Sequence, residues 1–221
     1  MGPIFLGIAG GSCSGKTTLV STLVSSLLTT LVSTLVSSLP YEVTTLTFDS
    51  YYCDQGHLPM KERALVNYDH PDSLDVSLFI NDLRTLRSGK PVSTPIYDFA
   101  THTRQSETVE INGTEIVLID GILLLVFQEV CELLDLKIFV EAPQSIRSER
   151  RIIRDALERG RSPEQARSQF LRTVQPMHEK FVEPSMAEAD LVINGESNPL
   201  ESAQQIQSVL LNTKFARPDT P

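Results

Sequence analysis

The chain has 221 residues, 41% hydrophobic and 21% charged, and a formal net charge of -9. That length suits one α/β domain with a substantial core, and the composition is ordinary for a soluble globular protein. An acidic surface gains nothing from nucleic acid or an anionic membrane, so neither is expected as a partner, although local basic groups can still hold a nucleotide's phosphates. The cysteines Cys13, Cys53 and Cys131 are few, odd in number and without CxxC spacing. A disulfide framework or zinc site is therefore not expected, and a reducing cytoplasm fits best. The opening MGPIFLGIAGGS has no basic leader region and runs into a Gly-rich turn, unlike a signal peptide.

In chain order, Ile4 to Ala9 reads as a short buried strand stopped by Gly10-Gly11. An amphipathic helix is expected from about Gly15. The uncharged stretch from Thr17 to Tyr41 is about half Ser and Thr, with Lys16 at its entrance, which argues against a membrane span. Within it, TTLVSTLVSSL occurs twice, over Thr17 to Leu27 and Thr29 to Leu39. A 12-residue shift on one helix turns the apolar stripe by about 120° and advances it about 18 Å. Both copies cannot bury against one sheet face, so the first is expected to dock and the second to protrude.

Val43 to Phe48 reads as a strand ending at Asp49. Asp75 to Arg87 reads as a helix with Val76, Phe79, Ile80, Leu83 and Leu86 on one face and Gly89 as its stop. The alternating segment Val92 to Ile111 reads as a β-rich hairpin or loops, and residues 90–112 are expected to form a lid. Glu115 to Asp120 and Leu136 to Val140 have the continuous apolar character of parallel strands. Gln144 to Arg159 reads as a basic helix ended by Gly160. Ser162, Pro163 and Gln165 supply the N-cap, first residue and capping box of the next helix, with Pro176 expected to end or kink it. Residues 144–170 are expected to form a helical lid over the nucleotide. Asp190 to Asn194 is a last strand, Pro199 to Leu211 a last helix, and residues 212–221 a loose tail. The alternation predicts a single doubly wound parallel α/β domain over residues 1–211.

Gly10, Gly11, Ser12, Cys13, Ser14, Gly15, Lys16 and Thr17 fit G-x-x-x-x-G-K-[ST] between a strand and a helix. Such glycines let backbone N–H groups converge on a β-phosphate, and the helix N-terminus adds positive charge. Lys16 is placed to bridge β- and γ-phosphates and the Thr17 hydroxyl to ligate Mg²⁺. Cys13 is read as a small residue that fits the loop. Asp49 and Asp120 end neighbouring strands beside the loop. Asp120 then suits the metal, and Asp49 suits a proton acceptor for an attacking hydroxyl.

The motifs Gly10 to Thr18, Asp49 to Tyr52, Asn67 to Asp72, Pro95 to Phe99, Thr101 to Arg104, Asp120 to Leu123 and Glu158 to Arg161 occur in the order seen in uridine kinases. From about Ile4 to Asn194 the chain resembles that family of P-loop kinases. The resemblance implies transfer of a phosphoryl group from ATP or GTP, with Mg²⁺, to the 5′-hydroxyl of uridine or cytidine. It implies Asp49 as base and Thr18 as part of the nucleotide site. Tyr52, Tyr68, Asp69, Tyr97 and His102 would hold the nucleoside, with Asp69 on the ribose. Arg151 and Gln169 would add acceptor-side contacts, and Arg154, Arg159 and Arg161 would close over the phosphates. A homotetramer with feedback by CTP or UTP is also implied. The family usually carries Glu where Asp120 stands and an acidic run where Glu141-Ala142-Pro143-Gln144 stands, and the 12-residue duplication is not a family feature. A phosphoribulokinase-like small-molecule kinase and an inactive nucleotide-binding protein are the alternatives. A switch GTPase would need an N-K-x-D loop, which the sequence lacks.

Overall fold

The computed structural model describes residues 2–33, 42–63 and 65–212. Five parallel strands form the central sheet in the order β2-β5-β1-β6-β7: β1 Ile4–Gly10, β2 Val43–Thr47, β5 Ile116–Asp120, β6 Leu136–Glu141 and β7 Leu191–Asn194. Strands β3 Val92–Asp98 and β4 Thr103–Ile111 pair antiparallel as a separate hairpin. The main helices are α1 Lys16–Ser33, α2 Val76–Arg87, α3 Gln144–Arg159, α4 Pro163–Gln169 and α5 Pro199–Asn212.

The parallel strands are apolar on both faces because both are covered. In β1, Phe5 and Ala9 enter one core, with Phe48, Phe79, Leu83 and Ile119. Leu6 and Ile8 enter the other, with Leu19, Leu23, Ile138 and Ile206. Leu19, Val20 and Leu23 of the first duplicated copy are buried there, and α1 packs against α5. The first copy is thus the docked one. The helix backbone continues to Ser33, while the rest of the second copy lies outside the described residues, as does the expected tail at 212–221 apart from Asn212, which ends the last helix.

Two expectations are corrected. β2 ends at Thr47, and Asp49 sits one residue into a 3-10 turn over Phe48–Tyr51. Pro176 does not end its helix: helical backbone runs on past it to Glu188. Proline lacks the N–H of a regular turn, and π-type turns at Phe170–Val174 and His178–Val182 flank it. There the Gln175 N–H donates to the Phe170 carbonyl and the Glu183 N–H to the His178 carbonyl. Such turns are frequent at functional sites, and here they turn side chains toward two different cavities. The capping box at Ser162 and Gln165 is formed, with Pro163 first in α4. No helix among the described residues is long and apolar enough to cross a membrane.

Candidate active site

β1 lies between β5 and β6, so the sheet order reverses there, and the crevice at the carboxyl ends of such strands is where α/β sheets bind ligands. The turn from β1 into α1 fills that crevice. Gly10 and Gly15 have φ of 138° and 111°, and a side chain on Gly10 would collide with the Val140 carbonyl. Cys13 adopts φ 63° without being glycine, a conformation L-residues rarely take. Lys16 is 7% exposed and curls back over the loop, its Nζ donating to the Gly10 and Gly11 carbonyls at 2.8 and 2.9 Å. Burial pulls its pKa down, opposed by Asp49 and Asp120.

Two cavities meet at this loop. One, of about 670 Å³, is lined by Cys13, Gly15, Lys16, Thr17, Thr18 and Arg154, together with Arg150 and the Asn194–Pro199 turn. The other, of about 440 Å³, also includes Cys13, Lys16, Thr17 and Arg154. Into it the structure brings Ser12, Asp49, Tyr52, Tyr68, Asp69, Tyr97, His102, Asp120, Arg151, Arg161 and Gln169. These residues come from seven separated stretches of chain. Gly10 and Ser14 shape the loop but line neither cavity. The side chain of Arg159 lies outside the described residues.

The carboxylates of the second cavity that lie beside the loop, Asp49 and Asp120, are perturbed mainly by burial. Asp120 neighbours Ile8 on one side and Thr47 on the other. Burial raises its pKa, while Lys16 and a Thr47 hydrogen bond pull it back. Asp49 is pushed up to about 6, first by burial and then by the nearby Asp120, with Lys16 opposing. A carboxylate with such a pKa can take and give a proton near neutrality.

The aromatic wall has its own supports. Tyr68 and His102 stack at 4.3 Å with planes 9° apart, and Tyr52 leans on Tyr97 at 5.3 Å. Arg104 ties the hairpin to the Asp49 turn: its guanidinium donates to the carbonyls of Tyr51 and Tyr52 and pairs with Asp75 at 3.2 Å. That clamp sets His102, itself at φ 55°, against the cavity.

One organising residue is not apparent from the sequence. Asp155 of α3 is fully buried and accepts from three arginines, with shortest contacts of 3.1 Å to Arg151, 3.0 Å to Arg154 and 2.9 Å to Arg161. Burial would raise its pKa, but the three cations outweigh that and hold it below the usual carboxylate range. Arg151 also donates to the Ser12 hydroxyl at 2.9 Å, and Arg161 to Gln169 at 2.6 Å. In sequence, Arg147, Arg151 and Arg154 share one helix face, and Asp155 reads, with Glu149 and Glu158, as an acidic neighbour of a solvated basic face. The further lining residues Arg150, Leu65, Arg172 and Thr173 carry no motif signal, and Phe99 closes the Pro95 to Phe99 motif without a role assigned to it in sequence.

A phosphate loop with a cavity on either side, one of them carrying a buried carboxylate of raised pKa, defines a P-loop kinase. The model of the phosphoribulokinase/uridine kinase family matches residues 5–199. A uridine kinase from Brevibacillus brevis is 38% identical over 213 residues, covering 96% of this chain and 92% of that protein. One from Staphylococcus epidermidis is 41% identical over 194 residues, covering 87% and 88%. The chain belongs to the phosphoribulokinase/uridine kinase family. Among solved structures, D-glycerate 3-kinase from Cryptococcus neoformans var. grubii superposes with a TM-score of 0.59 at 15% identity, covering 89% of this chain and 88% of that one, which shows the shared fold.

Proposed function

We propose that the protein is a uridine/cytidine kinase that transfers the γ-phosphoryl group of ATP, or of GTP in its place, to the 5′-hydroxyl of a pyrimidine ribonucleoside. The observation that carries this reading is the junction of the two cavities at Lys16 and Thr17, with Asp49 on the side lined by Tyr52, Tyr68, Tyr97 and His102. The 440 Å³ cavity lies within the roughly 300–1,000 Å³ of small-molecule sites. Its aromatic surface suits a flat base, whereas a sugar phosphate gains little from it. The relatives named uridine kinase support the same reading.

In this mechanism the loop cavity holds the donor and Lys16 neutralises charge on the transferred group. Asp49 orients the 5′-hydroxyl and takes its proton. Asp69 accepts from the ribose hydroxyls, and the Tyr68–His102 stack and Tyr97 flank the base. Arg154 lines both cavities and is placed to follow the phosphoryl group across. The β3–β4 hairpin serves as the acceptor-side lid and residues 144–170 as the donor-side lid. Thr17 and Asp120 line the same cavity beside the phosphate loop and offer the hard oxygen donors that suit a cation held mostly by phosphate and water. Mg²⁺ bound there would supply charge neutralisation at the phosphates. Three cysteines, Cys13, Cys53 and Cys131, odd in number and without CxxC spacing, fit a reducing cytoplasm as the protein's location.

An acceptor screen with MgATP tests this reading. Uridine and cytidine are the expected substrates, deoxyuridine a poor one because Asp69 loses a ribose partner. Turnover of ribulose 5-phosphate but not uridine would overturn it.

A further inference from the structure

A third cavity, of about 270 Å³, lies behind the phosphate loop. It shares no lining residue with the acceptor cavity and only Val140 with the donor cavity. Its wall includes Gly11, and the side chains of Arg147 and His178 press on that glycine so closely that a Cβ there would sit 2.9 Å from each. Arg147 is 2% exposed. Its Nε donates to the Ala142 carbonyl at 3.1 Å and its Nη2 to Gln175 Oε1 at 3.1 Å. Its Nη1 is buried with no hydrogen-bond partner among the described residues, and so is His178 Nδ1. A buried guanidinium with an unmet donor is costly unless an acceptor, preferably anionic, reaches it.

We propose that this cavity binds a small organic monocarboxylate, with its carboxylate on Arg147 Nη1 and His178 and its short apolar part against Phe139, Ala142 and Met186. Two features select this chemistry. Phe139, Ala142, Pro143 and Met186 form an apolar patch in an otherwise polar lining, enough for a short hydrocarbon group. Glu141, Glu179 and Glu183 are exposed charged members of the lining, and their charge repels a dianion such as phosphate more than a monoanion. The proposal does not depend on the identity of the kinase's acceptor.

The test uses the full chain with MgADP present, so that the phosphate loop is occupied. Propionate, propionamide and inorganic phosphate are titrated separately while the imidazole signals of His178, assigned by their loss in His178→Phe, are followed by NMR. Propionate is expected to shift them saturably with a Kd on the order of 1 mM, as its few heavy atoms allow. Propionamide, of the same shape without the charge, should bind at least about tenfold more weakly, because a charge-assisted hydrogen bond is lost. Arg147→Lys, which keeps the charge but not the fork, should weaken propionate several-fold. Equal binding of propionate and propionamide, tighter binding of phosphate than propionate, or no saturation by roughly 50 mM propionate would each overturn the proposal.

Discussion

The donor and acceptor halves of the site are built by different means. The donor half is mostly backbone: one loop and one helix start, set by Gly10 and Gly15 at positive φ. The acceptor half is side chains from seven stretches of chain, held by Arg104 and by the arginines around Asp155. A backbone site is written in consecutive residues. A side-chain site depends on the fold to bring distant residues together, so its supports matter as much as its contacts.

Three substitutions and one deletion probe that difference. Lys16→Ala acts where the two halves meet and should cost about 10³-fold or more in kcat with every nucleoside, measured by ADP release. Asp49→Asn should lower kcat by roughly 10²–10⁴-fold while ATP still binds, as read by calorimetry. In the parent, Asp49 must be ionised to accept a proton. Its raised pKa of about 6 therefore predicts that kcat/KM falls as the pH drops through 6, by about tenfold near pH 5. A flat profile from pH 5 to 8 would remove Asp49 as base.

Asp155→Asn keeps the shape but removes the charge that gathers three arginines. Breaking a buried pairing of this kind costs about 3 kcal/mol of stability. The functional sign of a positioning role is a KM for ATP raised roughly tenfold, measured where the variant is still folded by circular dichroism. An unchanged KM with only a lowered Tm would make Asp155 purely structural. The smallest effect is expected from deleting residues 28–39, which joins Leu27 to Pro40. The buried Leu19, Val20 and Leu23 are untouched, so folding and kcat should stay within about twofold of the parent. An insoluble product would place the second copy in the core.

The two halves also differ in how legible they are. The loop, the strands around it, the capping box at Ser162 and the hairpin all follow from local pattern. The roles of Tyr52, Tyr68, Tyr97 and His102 follow only from resemblance, because spacing cannot tell a cavity aromatic from a core one. Arg147, Arg151 and Arg154 read as one helix face, yet Arg147 turns behind the loop toward Gln175 while the other two turn to Asp155. Pro176 reads as an end or a kink because local rules contain no π turn, and of these the end does not occur. In each case tertiary packing supplies information that a short window does not contain.

The claim common to both halves is that they deliver one phosphoryl group to one hydroxyl. The most direct measurement is analysis of the products of uridine and MgATP by phosphorus NMR and mass spectrometry. The account predicts uridine 5′-monophosphate and ADP in equal amounts, with no ADP formed when uridine is left out. ADP and inorganic phosphate appearing at the same rate with or without uridine, or phosphate carried on a 2′- or 3′-oxygen, would contradict it.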